Sequence, residues 1–430
     1  MDNNTNKNYN EVLDLASEIG HVMLENGAEV ARVNDSMSRV ARYYGAENSN
    51  FYVLSNGVFA TGTPDGSRKG SYAKSAFIPL KGTHFDKVIA SSDLCFGICA
   101  GKYTIQQARA RLEEIKRMPE RPFLLQSLGS ALGSAGFCAV FGGTFLDCAA
   151  AGAVGFLVYM FILYVSSAHL SKFVGGTLNA VLMSCLCILF YRAGFGDNLS
   201  NIIIGALMPL VPGLAFTNGV RDLASSDYLS GITRMTDAAI GFFCLVVGLA
   251  VGFMVDGSVH GGIMALTEIT VSQQTYGIFW QAIAAFMGTA GFSIFFSVPP
   301  KYYLTTGLIG MVGWLIYILL TRMTGIMPAV SAVISATVIC ILSRSCAVHQ
   351  KCPNTVFLVC GLLPLIPGAG LFWSAYYLFT ADFRLALIKG YDALNFTIAI
   401  VMGIIIAMEL PQKWFIHLRK KEVGKKAGKN

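Results

Sequence analysis

Beyond residue 125 the chain falls into ten apolar stretches, at about 126–145, 148–166, 173–191, 200–220, 236–255, 277–298, 302–321, 326–343, 355–378 and 394–411. A helix needs ~20 predominantly apolar residues to cross the hydrocarbon core of a bilayer, because each residue advances it by only ~1.5 Å. The pattern therefore predicts ten transmembrane helices. The first 120 residues follow other periods. Val12, Leu15, Ala16, Ile19, Val22 and Met23 keep helical spacing and stop at Asn26-Gly27, a good C-terminal pair. Val30, Val33, Met37, Val40 and Tyr44 form a second helical stripe that ends at Gly45. Phe51–Leu54 and Val58–Thr61 flank Ser55-Asn56-Gly57 as strands flank a hairpin turn, and Ala76–Leu80 offers a third strand. Two more helices are predicted near 84–100 and 104–117, and Met118–Pro122 reads as the linker into the membrane.

One short motif occurs twice. Met208-Pro209-Leu210-Val211-Pro212-Gly213 returns 155 positions later as Leu363-Pro364-Leu365-Ile366-Pro367-Gly368. The same offset lays Gln126–Phe141 on Gln281–Phe296 with six identities in sixteen positions, and sets Asp227 on Asp382, Arg234 on Lys389 and Asp237 on Asp392. A constant offset through several segments predicts a duplication with five spans per copy, joined within 256–276. Five is odd, so the second copy crosses the bilayer upside down relative to the first, the arrangement characteristic of secondary transporters. The expected organisation is an α+β cytoplasmic domain over 1–122, a five-helix membrane repeat over 123–256, an inverted five-helix repeat over 277–411, and a basic cytoplasmic tail over 412–430.

Charge orients this arrangement. An even number of spans puts both termini on one side. With the N-terminus inside, the cytoplasmic connections hold Lys172, Arg221, Arg234, Lys301, Arg344 and Lys351 plus seven basic residues of the tail, against Arg192, Arg322, Arg384 and Lys389 outside. Both ends are therefore expected in the cytoplasm. The first 125 residues carry 15 of the 32 Lys/Arg and 14 of the 25 Asp/Glu, a near-neutral balance that argues against a nucleic-acid surface. A mean hydropathy of +0.56 with 54% hydrophobic residues excludes an ordinary soluble enzyme. The eleven Cys lie mostly inside apolar spans without metal-site spacing, so they read as small packing residues, and neither metal nor cofactor is expected. The polar start, Met1 to Asn10, leads into no apolar core, so no cleaved signal peptide is expected.

Proline inside a span removes a backbone hydrogen bond, and a following glycine loosens the helix further. Pro209, Pro212, Gly213 and Pro364, Pro367, Gly368 therefore predict two broken helices whose unpaired backbone groups could bind a small polar solute. A kink needed only for packing is the other account of such a motif. After the first copy come Asn218, Arg221 and Asp222. Asn218 can donate and accept, Arg221 suits a carboxylate, and Asp222 or Asp237 suits an ammonium or a proton. An interfacial Arg–Asp pair marking a helix end is the competing reading. The second copy has Trp373, Tyr376 and Tyr377 at the equivalent places, so chemistry is expected from the first copy and geometry from both. There is no Gly-x-Ser-x-Gly, P-loop or His-Glu-x-x-His, and no catalytic residue is expected.

Gly20-x3-Leu24-x2-Gly27-Ala28, then Arg32 and Ala41, a Gly-rich β segment, Leu-Val-Pro-Gly and Asn218-x2-Arg221-Asp222-Leu223 occur in an order that resembles the threonine/serine exporter family along essentially the whole chain. The resemblance implies a cytoplasmic N-terminal domain before ten spans, proton-driven efflux and a bacterial plasma membrane. It implies a small-molecule substrate, either threonine or serine or, as in a split-subunit branch, a dicarboxylate such as succinate. Protons and the lipid bilayer are the other expected partners, and a homo-oligomer is compatible with it. A passive channel or a membrane sensor with a regulatory N-terminal domain remains the alternative from another class.

Overall fold

The computed structural model describes residues 2–64, 71–78, 82–166, 170–260, 276–411 and 414–415. The basic tail and most of the 256–276 connection lie outside the described residues. The chain divides into two compact units. The first comprises residues 1–120, 217–235 and 296–299; the second comprises 121–216, 236–295 and 300–430.

In the first unit, α1 (Asp2–Glu25) and α2 (Val30–Tyr43) bury the two apolar stripes read from the sequence, with Leu15, Ile19, Met23, Val33 and Met37 fully enclosed. Gly20 lets them approach, since a Cβ there would overlap Met37 Sδ. Gly27, at φ 93°, ends α1 by donating to Leu24 O, while the Ala28 amide reaches back to Met23 O at 3.0 Å. Strands β1 (Ser49–Leu54), β2 (Gly57–Gly62) and β3 (Tyr72–Phe77) form an antiparallel meander in which Leu54 pairs with Gly57 and Val58 with Ala76. β3 begins four residues before the expected strand. Its inward positions are Tyr72, Lys74 and Ala76, and the two polar ones are satisfied by Asp14, which accepts from Tyr72 Oη at 2.8 Å and Lys74 Nζ at 2.7 Å. Burial works against the Asp14 carboxylate, but those hydrogen bonds and the Lys74 charge outweigh it and hold its pKa below the usual value. Helices α3 (Phe85–Cys99) and α4 (Ile105–Lys116) complete this part, α4 starting from a Thr104/Gln107 capping box.

The second unit is helical. α5 (Phe123–Val140), α6 (Phe145–Phe161), α7 (Lys172–Arg192), α8 (Leu199–Leu207), α9 (Gly213–Ala224) and α10 (Tyr228–His260) are followed by α11 (Ile278–Phe295), α12 (Tyr303–Met323), α13 (Pro328–Gln350), α14 (Asn354–Leu362), α15 (Gly368–Phe379) and α16 (Phe383–Met408); α9 and α10 each run across the boundary between the units. Among the described residues, eight helices are individually long and apolar enough to cross a membrane, or up to ten crossings if each bent pair counts as one. α10 and α16 start eight and eleven residues before the expected spans, so Arg234, Arg384 and Lys389 lie within helices and not in connections. Hydropathy reports the part of a helix that hydrocarbon covers, whereas backbone hydrogen bonding carries the helix on past that limit.

Backbone features recur at the offset of 155. Left-handed residues pair as Gly142 with Ser297, Gly196 with Lys351 and Ser226 with Ala381. Asp227 caps α10 by accepting from Ser230 N at 3.2 Å, and Asp382 caps α16 by accepting from Leu385 N at 3.1 Å. Gln126 Nε2 donates to Arg121 O at 3.2 Å, and Gln281 Nε2 to Tyr276 O at 3.3 Å.

α5 and α11 pack through glycine. A Cβ on Gly136 would lie 2.5 Å from Gly288 N, and one on Gly291 would lie 2.5 Å from Gly133 N. Phe137 and its counterpart Phe292 meet with ring centroids 5.5 Å apart. Because backbone and not a side chain occupies the space, Gly136→Ala forces the helices apart. We expect it to cost about 1–3 kcal/mol, read as a lower melting temperature of the detergent-solubilised protein.

Candidate functional site

Asn218, Arg221 and Asp222 stand at i, i+3 and i+4 on α9, so they share one face of that helix. A short turn, whose Ser226 takes φ 63°, reverses the chain into α10. Gly219 and Gly231 let the two helices close: a Cβ on Gly219 would lie 3.2 Å from Arg234 Cβ, and one on Gly231 2.6 Å from Leu223 Cγ. This brings Arg234 to Asp222, with Nε 3.1 Å from Oδ2, near enough for charge attraction though off the line of a hydrogen bond. Within the same compact unit, the α1–α2 connection supplies the rest. Glu29 forms an ion pair with Arg221, Gly27 O accepts from Asn218 Nδ2 at 3.4 Å, and Ala28 O accepts from Arg234 Nη2 at 3.3 Å.

The result is a buried cluster of two acids and two bases. Asn218 is fully enclosed, Asp222 is 2% exposed, and Glu29 and Arg234 are each 7% exposed. Desolvating an ion costs several kcal/mol, so three buried charges beside a partly buried Arg221 persist only because each faces an opposite one. Two acceptors of the cluster lack a hydrogen bond among the described residues: Asp222 Oδ2, which has the Arg234 charge beside it, and the enclosed Asn218 Oδ1.

The other sequence-selected residues belong to the second unit. Asp237 forms an ion pair with Lys172, which is 65% exposed. The two Pro–Gly motifs break their helices alike. Leu199–Leu210 and Gly213–Ala224 bend by 58°, and Asn354–Leu365 and Gly368–Phe379 by 47°. Short 3-10 turns at Met208–Leu210 and Leu363–Leu365 end each first half. Gly213 N then donates to Val211 O, and Gly368 N to Ile366 O, each at 2.7 Å, bending the backbone as γ-turns centred on Pro212 and Pro367. The breaks also touch. A Cβ on Gly213 would meet Ile366 Cδ1 at 2.8 Å, and one on Gly368 would meet Met208 Sδ at 3.3 Å and Val211 Cγ2 at 3.9 Å. Trp373, Tyr376 and Tyr377, the counterparts of Asn218, Arg221 and Asp222, pack together at centroid distances of 5.6–5.8 Å, with Phe253 beside Tyr376 at 5.9 Å.

Sequence reasoning missed Glu29, which sits at the N-cap of α2 without capping it, its carboxylate turned to Arg221. It also missed the bidentate Arg192–Asp256 pair, at 2.9 and 2.8 Å, having taken Arg192 for a loop charge. An acid at a helix start that leaves its capping role unused is visible only in three dimensions. Asp147 holds α6 to the entry of α8 by accepting from Thr144 N, Asp197 N and Asn198 N. No group of three or more His, Cys, Asp or Glu among the described residues is arranged to hold a metal.

Long apolar helices, two of the crossings broken at paired Pro–Gly turns, define a multi-pass α-helical membrane protein. Residues 14–256 match one family model of the threonine/serine exporters, and residues 281–409 match a second, described as "Threonine/Serine exporter, ThrE". The chain belongs to the threonine/serine exporter family. It is 20% identical over 380 residues to a Mycobacterium tuberculosis protein named "Probable threonine/serine exporter", an alignment that spans 85% of this chain and 70% of the relative. It is 21% identical over 370 residues to a Corynebacterium glutamicum protein named "Threonine/serine exporter", spanning 85% and 75%. No solved structure matches.

Proposed function

We propose that this chain is a secondary active exporter that moves L-threonine or L-serine out of a bacterial cell in exchange for protons, with both termini in the cytoplasm and no covalent chemistry. The observation that carries the reading is the reciprocal contact between the two helix breaks. Gly213 faces Leu363 and Ile366, while Gly368 faces Met208 and Val211, the same contacts with the copies exchanged. α5 and α11 repeat the pattern: Gly136 meets Gly288 and Gly133 meets Gly291, the copies crossing antiparallel at Phe137 and Phe292. Reciprocity of this kind belongs to a two-fold relation, and equivalent spans that run antiparallel place its axis in the membrane plane. This supports two inverted five-helix repeats that rock about broken helices. Pro209, Pro212, Gly213, Pro364, Pro367 and Gly368 shape the breaks, Asn218, Arg221 and Asp222 contact substrate, and Asp237 carries the proton.

Two arginines in the buried cluster could hold a dicarboxylate such as succinate. They are matched there by two carboxylates, and a neutral cluster suits a zwitterion better than a dianion. The unfilled Asn218 Oδ1 is an acceptor for a hydroxyl, the group that distinguishes serine from alanine.

In proteoliposomes preloaded with labelled threonine, an inward-directed proton gradient should speed efflux, and a protonophore should remove the gain. Efflux indifferent to the protonophore would discard antiport. Stronger competition by succinate than by serine would move the substrate to the dicarboxylates.

A further inference from the structure

We propose that Glu29 of the α1–α2 connection and Arg234 of α10 together form an internal substitute for substrate. The Glu29 carboxylate occupies Arg221 where the carboxylate of an amino acid would bind, the Arg234 guanidinium occupies Asp222 where its ammonium would bind, and substrate enters by displacing both. The inference rests on Arg221 and Asp222 being substrate contacts.

Three observations converge on it. First, the two partners reproduce the charges of a zwitterion, one acid on the arginine and one base on the aspartate, and both are more than nine-tenths buried. Second, Glu29 forgoes the capping bond open to it at the start of α2, so local helix chemistry does not account for its orientation. Third, the enclosed Asn218 Oδ1 beside these pairs stays without a hydrogen-bond partner among the described residues. The internal partners set opposite charges against Arg221 and Asp222, and Asn218 Oδ1 stays open as an acceptor suited to a third functional group. Buried polar groups are otherwise paired in the great majority of cases. The ligand class that fits all three places is an α-amino acid with a short hydroxylated side chain.

The connection is held from two sides. It is a short turn between two helices, anchored at Gly27 and Ala28 by C-terminal hydrogen bonds to Leu24 O and Met23 O. Its carbonyls at Gly27 and Ala28 accept from Asn218 and Arg234, so these two bonds and the Glu29–Arg221 pair are what tie the segment to α9 and α10.

The test uses the full chain in proteoliposomes with labelled L-serine. Glu29→Gln keeps the shape of the side chain but removes the charge that competes with the substrate carboxylate. The half-saturating serine concentration should fall roughly tenfold, the ratio that one charge-assisted hydrogen bond is worth, with the maximal rate retained. An unchanged or raised half-saturation overturns the proposal. Hydrogen exchange on the wild-type protein gives a second reading that needs no variant. Saturating serine should speed exchange of the Gly27 and Ala28 amides, and equal rates with and without serine overturn the displacement even if Glu29→Gln fails to fold. Arg221→Ala separates this idea from the one beneath it. If that variant binds serine as well as the wild type does, the substrate reading falls. If it does not bind while Glu29→Gln keeps wild-type half-saturation, only the substitution by Glu29 falls.

Discussion

Arg221→Ala is expected to abolish export and to destabilise the protein, while the double variant Arg221→Ala/Glu29→Ala regains stability and stays inactive. Removing Arg221 alone leaves the Glu29 carboxylate enclosed at 7% exposure with its counter-charge gone. Breaking a buried pair in this way costs about 3–5 kcal/mol, whereas deleting both partners can be nearly neutral. The coupling between the two sites should therefore be large in stability and absent in transport. Melting temperature and threonine efflux, measured on the same preparations, read the two quantities separately. If the double variant regained efflux along with its melting temperature, Arg221 would serve folding alone. Asp222→Ala and Asp222→Ala/Arg234→Ala make a parallel cycle, since that pair is buried still more deeply.

The membrane helices were legible because hydrocarbon burial demands long apolar runs, and composition alone carries that signal. The breaks were legible for a similar reason: proline removes a hydrogen bond wherever it sits, so Pro209, Pro212, Pro364 and Pro367 mark their own positions. Other features were hidden in characteristic ways. The start of β3 escaped a search for apolar alternation because Tyr72 and Lys74, inward residues ahead of the expected Ala76, are satisfied by Asp14 from α1. The starts of α10 and α16 carry charge, and a hydropathy window cannot separate a charged helical turn from a loop. Glu29 and Arg221 lie far apart in sequence, and nothing local to either announces the other. Arg221 and Asp222, adjacent in sequence, looked like partners and instead each turn to another residue, Glu29 and Arg234. The offset of 155 is read from letters alone, and the glycine contacts at positions related by it are what the proposed inverted repeat rests on.

Gly213→Val and Gly368→Val should each reduce export by about tenfold or more, although the charged cluster follows only the first motif. A Cβ on Gly213 meets Ile366 Cδ1 at 2.8 Å, and one on Gly368 meets Met208 Sδ at 3.3 Å, so either valine pushes the two breaks apart. Overpacking of this size costs about 1–3 kcal/mol, enough to shift the balance between two access states by that margin. The Gly213 contact is closer and its neighbour is a branched side chain, whereas Met208 is flexible and can yield, so Gly213→Val should be the more severe of the two. A compensating change distinguishes this from general damage. Ile366→Ala removes the atom that a valine in place of Gly213 would strike, and should restore much of the export lost in Gly213→Val while doing little for Gly368→Val. Rescue of both, or of neither, would mean that the breaks do not act through their mutual contact. If the second copy could be altered without loss, the two motifs would share an origin but not a task.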